Sequence, residues 1–366
     1  MKDDLSAARA QACPVPGTAA QPATVRVAVV QAAPVILDRE GTTRKVCRLI
    51  EEAGQRGARL ILLPEAMIPA YPRGMTFGTV VGHRSDKGRR AYARYWDQCV
   101  DVPGPVTEAI GAAARAAGAY VAIGVVERVS TYRGGTLYCT LLYFGPDGRL
   151  LAKHRKLKPT GAERLVWGEG DGSTLAAIQT EFGIVGGLIC WENYMPLARM
   201  AMYHKGVDIY LAPTADARDS WQATIRHIAC EGRCFVLSCN QFVTRDMMPA
   251  DWEDIGPGPE ILCRGGSAIV DPLGNYLAGP LYDREGILVA DLDLQRITEA
   301  RYDFDPVGHY NRPDIFRLLV NEEPMPPVQH TALAGSPAAP AGSSPGPDNR
   351  DRVQESHLAD GGEDGR

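Results

Sequence analysis

Two ten-residue stretches, Gly57–Ala66 (GARLILLPEA) and Gly206–Ala215 (GVDIYLAPTA), follow one plan: a glycine, an aliphatic run, and a proline seven positions after the glycine. Each follows a segment of helical period, and each proline, lacking an N–H for the ladder, stops a strand. Runs apolar at successive positions, not at alternate ones, read as strands covered on both faces. Strand-like and helical runs alternate around them. VRVAVVQAAPV (25–35), a helix near 42–56 and RLILLPEA (59–66) come first, followed by YVAIGVVER (120–128), LYCTLLYFG (137–145), GIVGGLICW (183–191), DIYLAPTA (208–215), CFVLSCNQF (234–242), SAIVDPLGNYLA (267–278) and GILVADLDL (286–294). Strand–helix–strand order implies parallel pairing, while the GPDG turn after Phe144 and the DPLGN turn at 271–275 imply hairpins. The expected fold is therefore α/β, a four-layer α-β-β-α sandwich of two mixed sheets. Ligands in such a fold sit beyond the strand C-termini, so Glu65 and Thr214 would occupy equivalent rims of one site. Chance recurrence of a glycine, an apolar run and a proline is the competing explanation.

The ends separate from this body by composition. Residues 1–23 are rich in Ala, Pro and Gln, and 332–366 have no aromatic residue, so both are expected to stay flexible, leaving one domain over 24–331. Of the net charge of −5, the last 35 residues carry −3, leaving about −2 on the rest. A body so nearly neutral is a poor fit to nucleic acid. No run of eighteen apolar residues lacks a charge; the most membrane-like window, Ala109 to Val126, contains Arg115 and several glycines. With Asp3 and Asp4 straight after Lys2 and no apolar core before Cys13, a secretory signal is not expected and the cytoplasm is the default. Nine cysteines in a reducing compartment are read as thiols. His227, Cys230, Cys234 and Cys239 lie close enough to suggest zinc, but Cys234 and Cys239 fall within an apolar strand, and no metal or cofactor is expected.

Four residues carry candidate chemistry. Glu65 follows a doubly buried strand, where a carboxylate is neutralised, paired or functional; a turn cap is the bland alternative. Cys190 ends GIVGGLIC just before WEN and Pro196, at a strand-to-helix turn whose N–H groups would favour a thiolate. Lys156 lies in the basic run KHRKLKPTGAER, otherwise readable as a solvated strand end, and Glu163 in the same run could be an ordinary helix-surface acid. In combination they amount to more. A free thiol, with a pKa near ~8.5, is only a few per cent thiolate at neutral pH, so addition to a carbon–nitrogen multiple bond needs a base for its proton and a cation for the developing charge. His154 and His204 form no Cys–His pattern in the sequence.

These segments resemble a known family. LLPEAMIPAYPRG around Glu65, HRKLKPTGAERLVWGEGDGS around Lys156 and GGLICWENYMPLAR around Cys190 are similar to the three blocks of the nitrilases in the carbon-nitrogen hydrolase superfamily, and the likeness runs from about Val25 to Arg312. Tyr71–Gly74 (YPRG), Asp101–Pro105 (DVPGP), Gly124–Arg128, Thr136–Thr140 and CWEN at 190–193 are similar to the branch of plant nitrilases and their bacterial relatives; many other bacterial nitrilases have histidine where Asn193 stands. The resemblance implies Cys190 as nucleophile, Glu65 as general base, Lys156 as stabiliser of the tetrahedral intermediate and Glu163 as the residue that orients the lysine or helps proton transfer. Tyr71, Trp191 and Thr214 are expected to contact substrate. It further implies hydrolysis of β-cyanoalanine-like or arylaliphatic nitriles to acid and ammonia through a thioimidate and a thioester, with some amide, and self-association into dimers or spiral filaments. Gly161 and Ala162 are smaller than the pattern suggests, which bears on pocket size. An amidase or carbamoylase of the same superfamily, a non-catalytic self-assembling scaffold and a redox thiol protein remain as rival readings.

Overall fold

A computed structural model describes residues 22–129, 134–249, 258–326 and 328. Except for residues 22 and 23, the expected flexible ends 1–23 and 332–366 lie outside the described residues.

The first half gives β1 (Thr24–Gln31), α1 (Arg39–Gln55), β2 (Leu60–Leu62), α2 (Asp86–Gln98), β3 (Val100–Asp101), α3 (Pro105–Ala117), β4 (Tyr120–Arg128), β5 (Leu137–Phe144) and β6 (Leu150–Arg155). The second gives β7 (Ala177–Thr180), β8 (Gly183–Gly187), α4 (Pro196–His204), β9 (Ile209–Pro213), α5 (Asp219–Gly232), β10 (Phe235–Cys239), β11 (Phe242–Thr244), β12 (Ile261–Val270), β13 (Tyr276–Tyr282), β14 (Gly286–Asp293) and α6 (Gln295–Arg301). One sheet runs β14-β1-β2-β4-β5-β6, with β3 on β4; the other runs β11-β12-β10-β9-β8-β7, with β13 on β12. Both are mixed. β2 lies between parallel β1 and β4, and β9 between parallel β8 and β10, so the two repeated stretches hold the same place in their sheets.

Period-two alternation within the apolar runs builds the layers. Val27, Val29, Leu60 and Leu62 pack between the sheets with Ile209, Leu211, Phe235 and Leu237. Their neighbours Ala28, Val30 and Ile61 face α1 and α3 through Val46, Ile50 and Ile110. On the far side Tyr210, Ala212 and Val236 face α4 and α5 through Met202, Trp221 and Ile225. The order is thus α-β-β-α. Burying each large aliphatic side chain is worth about 1.5–3 kcal/mol but carries no direction. Directional ties across the sheets come from polar groups: Gln31 Oε1 accepts from Ser267 N (3.0 Å) and Oγ (2.8 Å), and the Cys239 thiol donates to the Val30 carbonyl (3.1 Å).

Several strands are shorter than their apolar runs, and each stops for a local reason. β2 ends at Leu62, after which Leu63 N still donates to the Ala122 carbonyl (2.9 Å) before Pro64 breaks the ladder. β8 ends at Gly187, because the chain turns before reaching Cys190, and the run at 234–242 divides into β10 and β11 about Asn240 and Gln241. α2, absent from the expected elements, is rich in charge but turns Tyr92, Tyr95 and Trp96, at helical spacing, to the core; Ser85 caps it by accepting from Gly88 N (3.0 Å).

Gly124 on β4 faces the segment carrying Glu65. A Cβ there would lie 2.5 Å from the Pro64 carbonyl oxygen and 2.6 Å from both Glu65 Cα and Ala66 N, all of them backbone atoms with little freedom to retreat. Overpacking of this kind costs about 1–3 kcal/mol. Gly124→Ala is therefore expected to lower stability by that amount in urea unfolding; a midpoint equal to that of the unaltered chain would show that the Glu65 segment yields freely.

Candidate active site

The chain beyond β2 turns sharply: Pro64 ends the ladder, Ala66 has φ +46°, and Glu65 is left fully buried with its carboxylate inside the molecule. Its carbonyl oxygen accepts from Gln241 Nε2 (2.9 Å), a residue of the link between β10 and β11 in the opposite sheet. The Glu65 side chain caps nothing. Oε1 accepts from Lys156 Nζ (2.7 Å) and from the Cys139 thiol (3.5 Å), while Oε2 is buried with no hydrogen-bond partner.

Lys156 follows β6 directly, its backbone N–H donating to the Cys139 carbonyl (2.8 Å). The solvated strand end that its basic run allowed is not what forms: the side chain has no exposure at all, and Nζ reaches a second carboxylate, Glu163 Oε2, at 2.8 Å. Glu163 sits in a helical turn at Gly161–Leu165, where Oε2 also accepts from Thr160 N (2.7 Å) and Oε1 from the Tyr71 hydroxyl (2.7 Å). Burial, followed by the Glu163 charge, pushes the Tyr71 phenol up and keeps it a donor.

Cys190 opens the helical turn Cys190–Tyr194 with φ +52°, a left-handed conformation that a non-glycine residue adopts at a cost of about 1–3 kcal/mol. Asn193 braces that turn from within: Nδ2 donates to the Leu188 (2.9 Å) and Cys190 (2.8 Å) carbonyls, and Oδ1 accepts from the Tyr210 hydroxyl (2.9 Å). Thr214, one residue past Pro213, directs its hydroxyl to Cys190 Sγ (3.1 Å) and is itself fixed by Asp216 N (3.0 Å). Glu65 and Thr214 thus border one thiol from the ends of the two repeated strands, and Cys190 in turn helps hold the Glu65 charge. Trp191 is more exposed, donating from Nε1 to Asp216 Oδ2 (2.8 Å) with its ring edge-on to Tyr194.

Charge in this dry space is tightly determined. Burial raises the Glu65 pKa, and Lys156 offsets only part of that rise. For Lys156 burial acts downward, yet Glu65, Cys190, Cys139 and Glu163 outweigh it and hold the ammonium well above its ordinary range. Burial and then the Glu65 charge push the Cys190 thiol well up, against the opposing pull of Lys156 and Thr214. Turn N–H groups would favour a thiolate, but desolvation is the largest influence here and pushes the other way, toward the protonated thiol.

Sequence reasoning missed the supporting groups. Cys139 crowds Glu65 Oε1, and Gln241 anchors the Glu65 backbone. Glu192 and His154 form a fully buried pair, Nε2 lying 3.1 and 3.2 Å from the two carboxylate oxygens. The available signal was spacing, since His154 stands two residues before Lys156 on the same strand face and Glu192 two residues after Cys190. Of the zinc candidates, His227 is exposed and lies 3.5 Å from Glu231, and no group of three or more potential metal ligands clusters among the described residues. No helix among them is long and apolar enough to cross a membrane.

Beside Thr214 opens a cleft of about 520 Å³ lined by Arg73, Asp216, Arg218, Arg264 and Asp283 among others. Arg218 pairs with Asp216 (2.5 Å) and Arg264 with Asp283 (3.4 Å), whereas Arg73 donates to the Ala215 carbonyl (3.2 Å), lies over the Tyr71 ring (5.1 Å), and has a buried Nε–H with no acceptor among the described residues.

Comparison with known proteins identifies the family. The carbon-nitrogen hydrolase family model matches residues 26–302. An aliphatic nitrilase of Sinorhizobium fredii is 56% identical over 305 residues, covering 83% of this chain and 97% of its own length. A bifunctional nitrilase/nitrile hydratase of Lupinus angustifolius is 48% identical over 318 residues, covering 85% and 90%. Among solved structures, a carbon-nitrogen hydrolase from Helicobacter pylori G27 shares the fold with a TM-score of 0.63 at 22% identity, over 81% of this chain and 98% of that one. With a sandwich of two mixed sheets, a buried Glu-Lys-Cys cluster and nitrilases about half identical over most of its length, the chain belongs to the carbon-nitrogen hydrolase family.

Proposed function

We propose that this protein is a nitrilase, hydrolysing organic nitriles to carboxylic acid and ammonia with Cys190 as nucleophile. The observation that carries the mechanism is the single unoccupied oxygen, Glu65 Oε2, in a cluster where Oε1 is held by Lys156 and Cys139. Cys190 passes its proton to Glu65 as sulfur adds to the nitrile carbon, and the nitrile nitrogen takes up that proton to give a thioimidate. Lys156 stabilises the charge developing on nitrogen. Water, deprotonated by Glu65, adds next; the protonated nitrogen departs as ammonia and leaves a thioester. A second water, activated in the same way, releases the acid and restores the thiol. If sulfur departs from the first tetrahedral species instead, the product is the amide. Glu163 orients the ammonium, and Thr214 supports the sulfur as its charge grows. Tyr71 and Trp191 would contact substrate through their rings, since their polar atoms are already bonded to Glu163 and Asp216.

The cleft favours one of the two substrate classes. Arg73 has no carboxylate partner among the described residues, so a nitrile carrying a carboxylate, as β-cyanoalanine does, would meet a vacant donor there. Exposed apolar side chains, among them Tyr194, Leu197, Ile315, Phe316 and Leu319, support self-association through surfaces of this chain. Cytoplasmic residence completes the proposal.

Cys190→Ala should reduce ammonia release to background while unfolding stays cooperative, and undiminished turnover in that variant would remove the thiol from the mechanism. Because Glu65 must be ionised to act and burial raises its pKa, activity is lost as pH falls through a value above the ordinary glutamate pKa of about 4.3. The acid limb of kcat/KM measures this directly. In a panel of β-cyanoalanine, phenylacetonitrile, phenylpropionitrile and fumaronitrile, scored for acid and amide, β-cyanoalanine should give the highest kcat/KM. Arg73→Ala should narrow the margin; equal preference in both proteins would exclude Arg73 as a determinant.

A further inference from the structure

The catalytic arrangement proposed above draws on two sheets: Lys156 and Glu65 follow strands of one, and Cys190 follows a strand of the other. Aliphatic packing between the sheets lacks the directionality to hold an ammonium and a sulfur in fixed register, whereas reacting groups misplaced by ~1 Å can lose about 10²-fold in rate.

Glu192 supplies such a direction. Its Oε1 accepts from Leu157 N at 2.6 Å, the peptide just after Lys156, and its Oε2 accepts from Ile189 N at 2.7 Å, the peptide just before Cys190. One carboxylate thereby clasps the two chain segments at positions adjoining the residues that must meet. His154 completes the clasp. Its Nε2 lies against both oxygens of Glu192 and its Nδ1 is 2.9 Å from the Thr174 carbonyl. The Thr174 carbonyl only accepts, so Nδ1 carries a proton, and facing an ionised Glu192 the Nε2 position would donate as well. Consistently, although burial alone would lower the His154 pKa, the Glu192 charge raises it above the ordinary value.

We propose that Glu192, oriented by His154, is a positioning residue that fixes the Lys156 ammonium relative to the Cys190 sulfur across the two sheets. The inference rests on the catalytic reading above but not on the nature of the substrate.

Glu192→Gln is the discriminating variant. An amide has one accepting oxygen, so whichever way it turns, either Leu157 N or Ile189 N must face an NH2 group, while size is preserved. Assayed below its unfolding midpoint, the variant should lose about 10²-fold in kcat with KM within roughly threefold. A purely structural role would lower the midpoint and spare kcat in the folded fraction, and that result would overturn the proposal, as would a change confined to KM. If Glu192→Gln fails to fold, His154→Gln, which keeps one donor toward Glu192, decides: a smaller kcat loss at constant KM supports the clasp, and an unchanged kcat rejects it. The two layers fail separately. Should the wild type release ammonia from amides but not nitriles, the nitrile reading falls and the clasp is measured on amides. Should it turn over neither, alkylation of Cys190 by iodoacetamide, followed by mass spectrometry, reads the same geometry: slower in Glu192→Gln if the clasp operates, unchanged if it does not.

Discussion

A single buried ammonium holds the centre of this molecule together. Lys156 has no access to water, and two carboxylates lie within 2.8 Å of its nitrogen. An ion so placed is strongly unfavourable unless compensated, and losing one member of such a group costs about 3–5 kcal/mol through the charge left behind. Lys156 therefore dictates that Glu65 and Glu163 converge on it, and with them the turns that carry them. A proton passed from the thiol to Glu65 adds no net charge to this space, so the low dielectric that penalises a lone thiolate penalises the transfer far less.

The two sheets contribute unequally but by the same device. Each has a central parallel strand with a proline at or just beyond its end, and the side chain of the residue after that proline reaches the cluster: Glu65 after Pro64, two residues past β2, and Thr214 after Pro213, the last residue of β9. The apolar interior supplies the stability that allows polar groups to be stranded there, and the polar ties across the sheets supply register. Gln241 to the Glu65 backbone is one such tie, and Gln31 to Ser267 another.

Much of this was legible from residue order. The repeat of glycine, aliphatic run and proline pointed to two sheets with a shared rim, because it encodes burial on both faces and an abrupt stop. The positions of Glu65, Lys156 and Cys190 were legible as well, through the oddity of charged or reactive groups beside apolar runs. The direction in which the Cys190 pKa is pushed was not: a turn suggests helix N–H groups, but desolvation, the largest influence, appears only once the chain is packed. Nor was the burial of Lys156, since a basic run looks solvated until its partners, 91 and seven residues away, are brought to it. α2 was hidden for the opposite reason: its stripe of Tyr92, Tyr95 and Trp96, continued by Cys99 at the cap, is aromatic and set among many charges instead of aliphatic.

The burial of the Cys190 sulfur bears on how such a protein resists oxidation. Peroxide attacks the anion of cysteine far more readily than the neutral form, and the damage ladder begins with that step. Burial and the Glu65 charge disfavour that anion at Cys190, whose side chain presents almost no surface to an oxidant. The same exclusion of water that makes this sulfur hard to ionise thus also shields it.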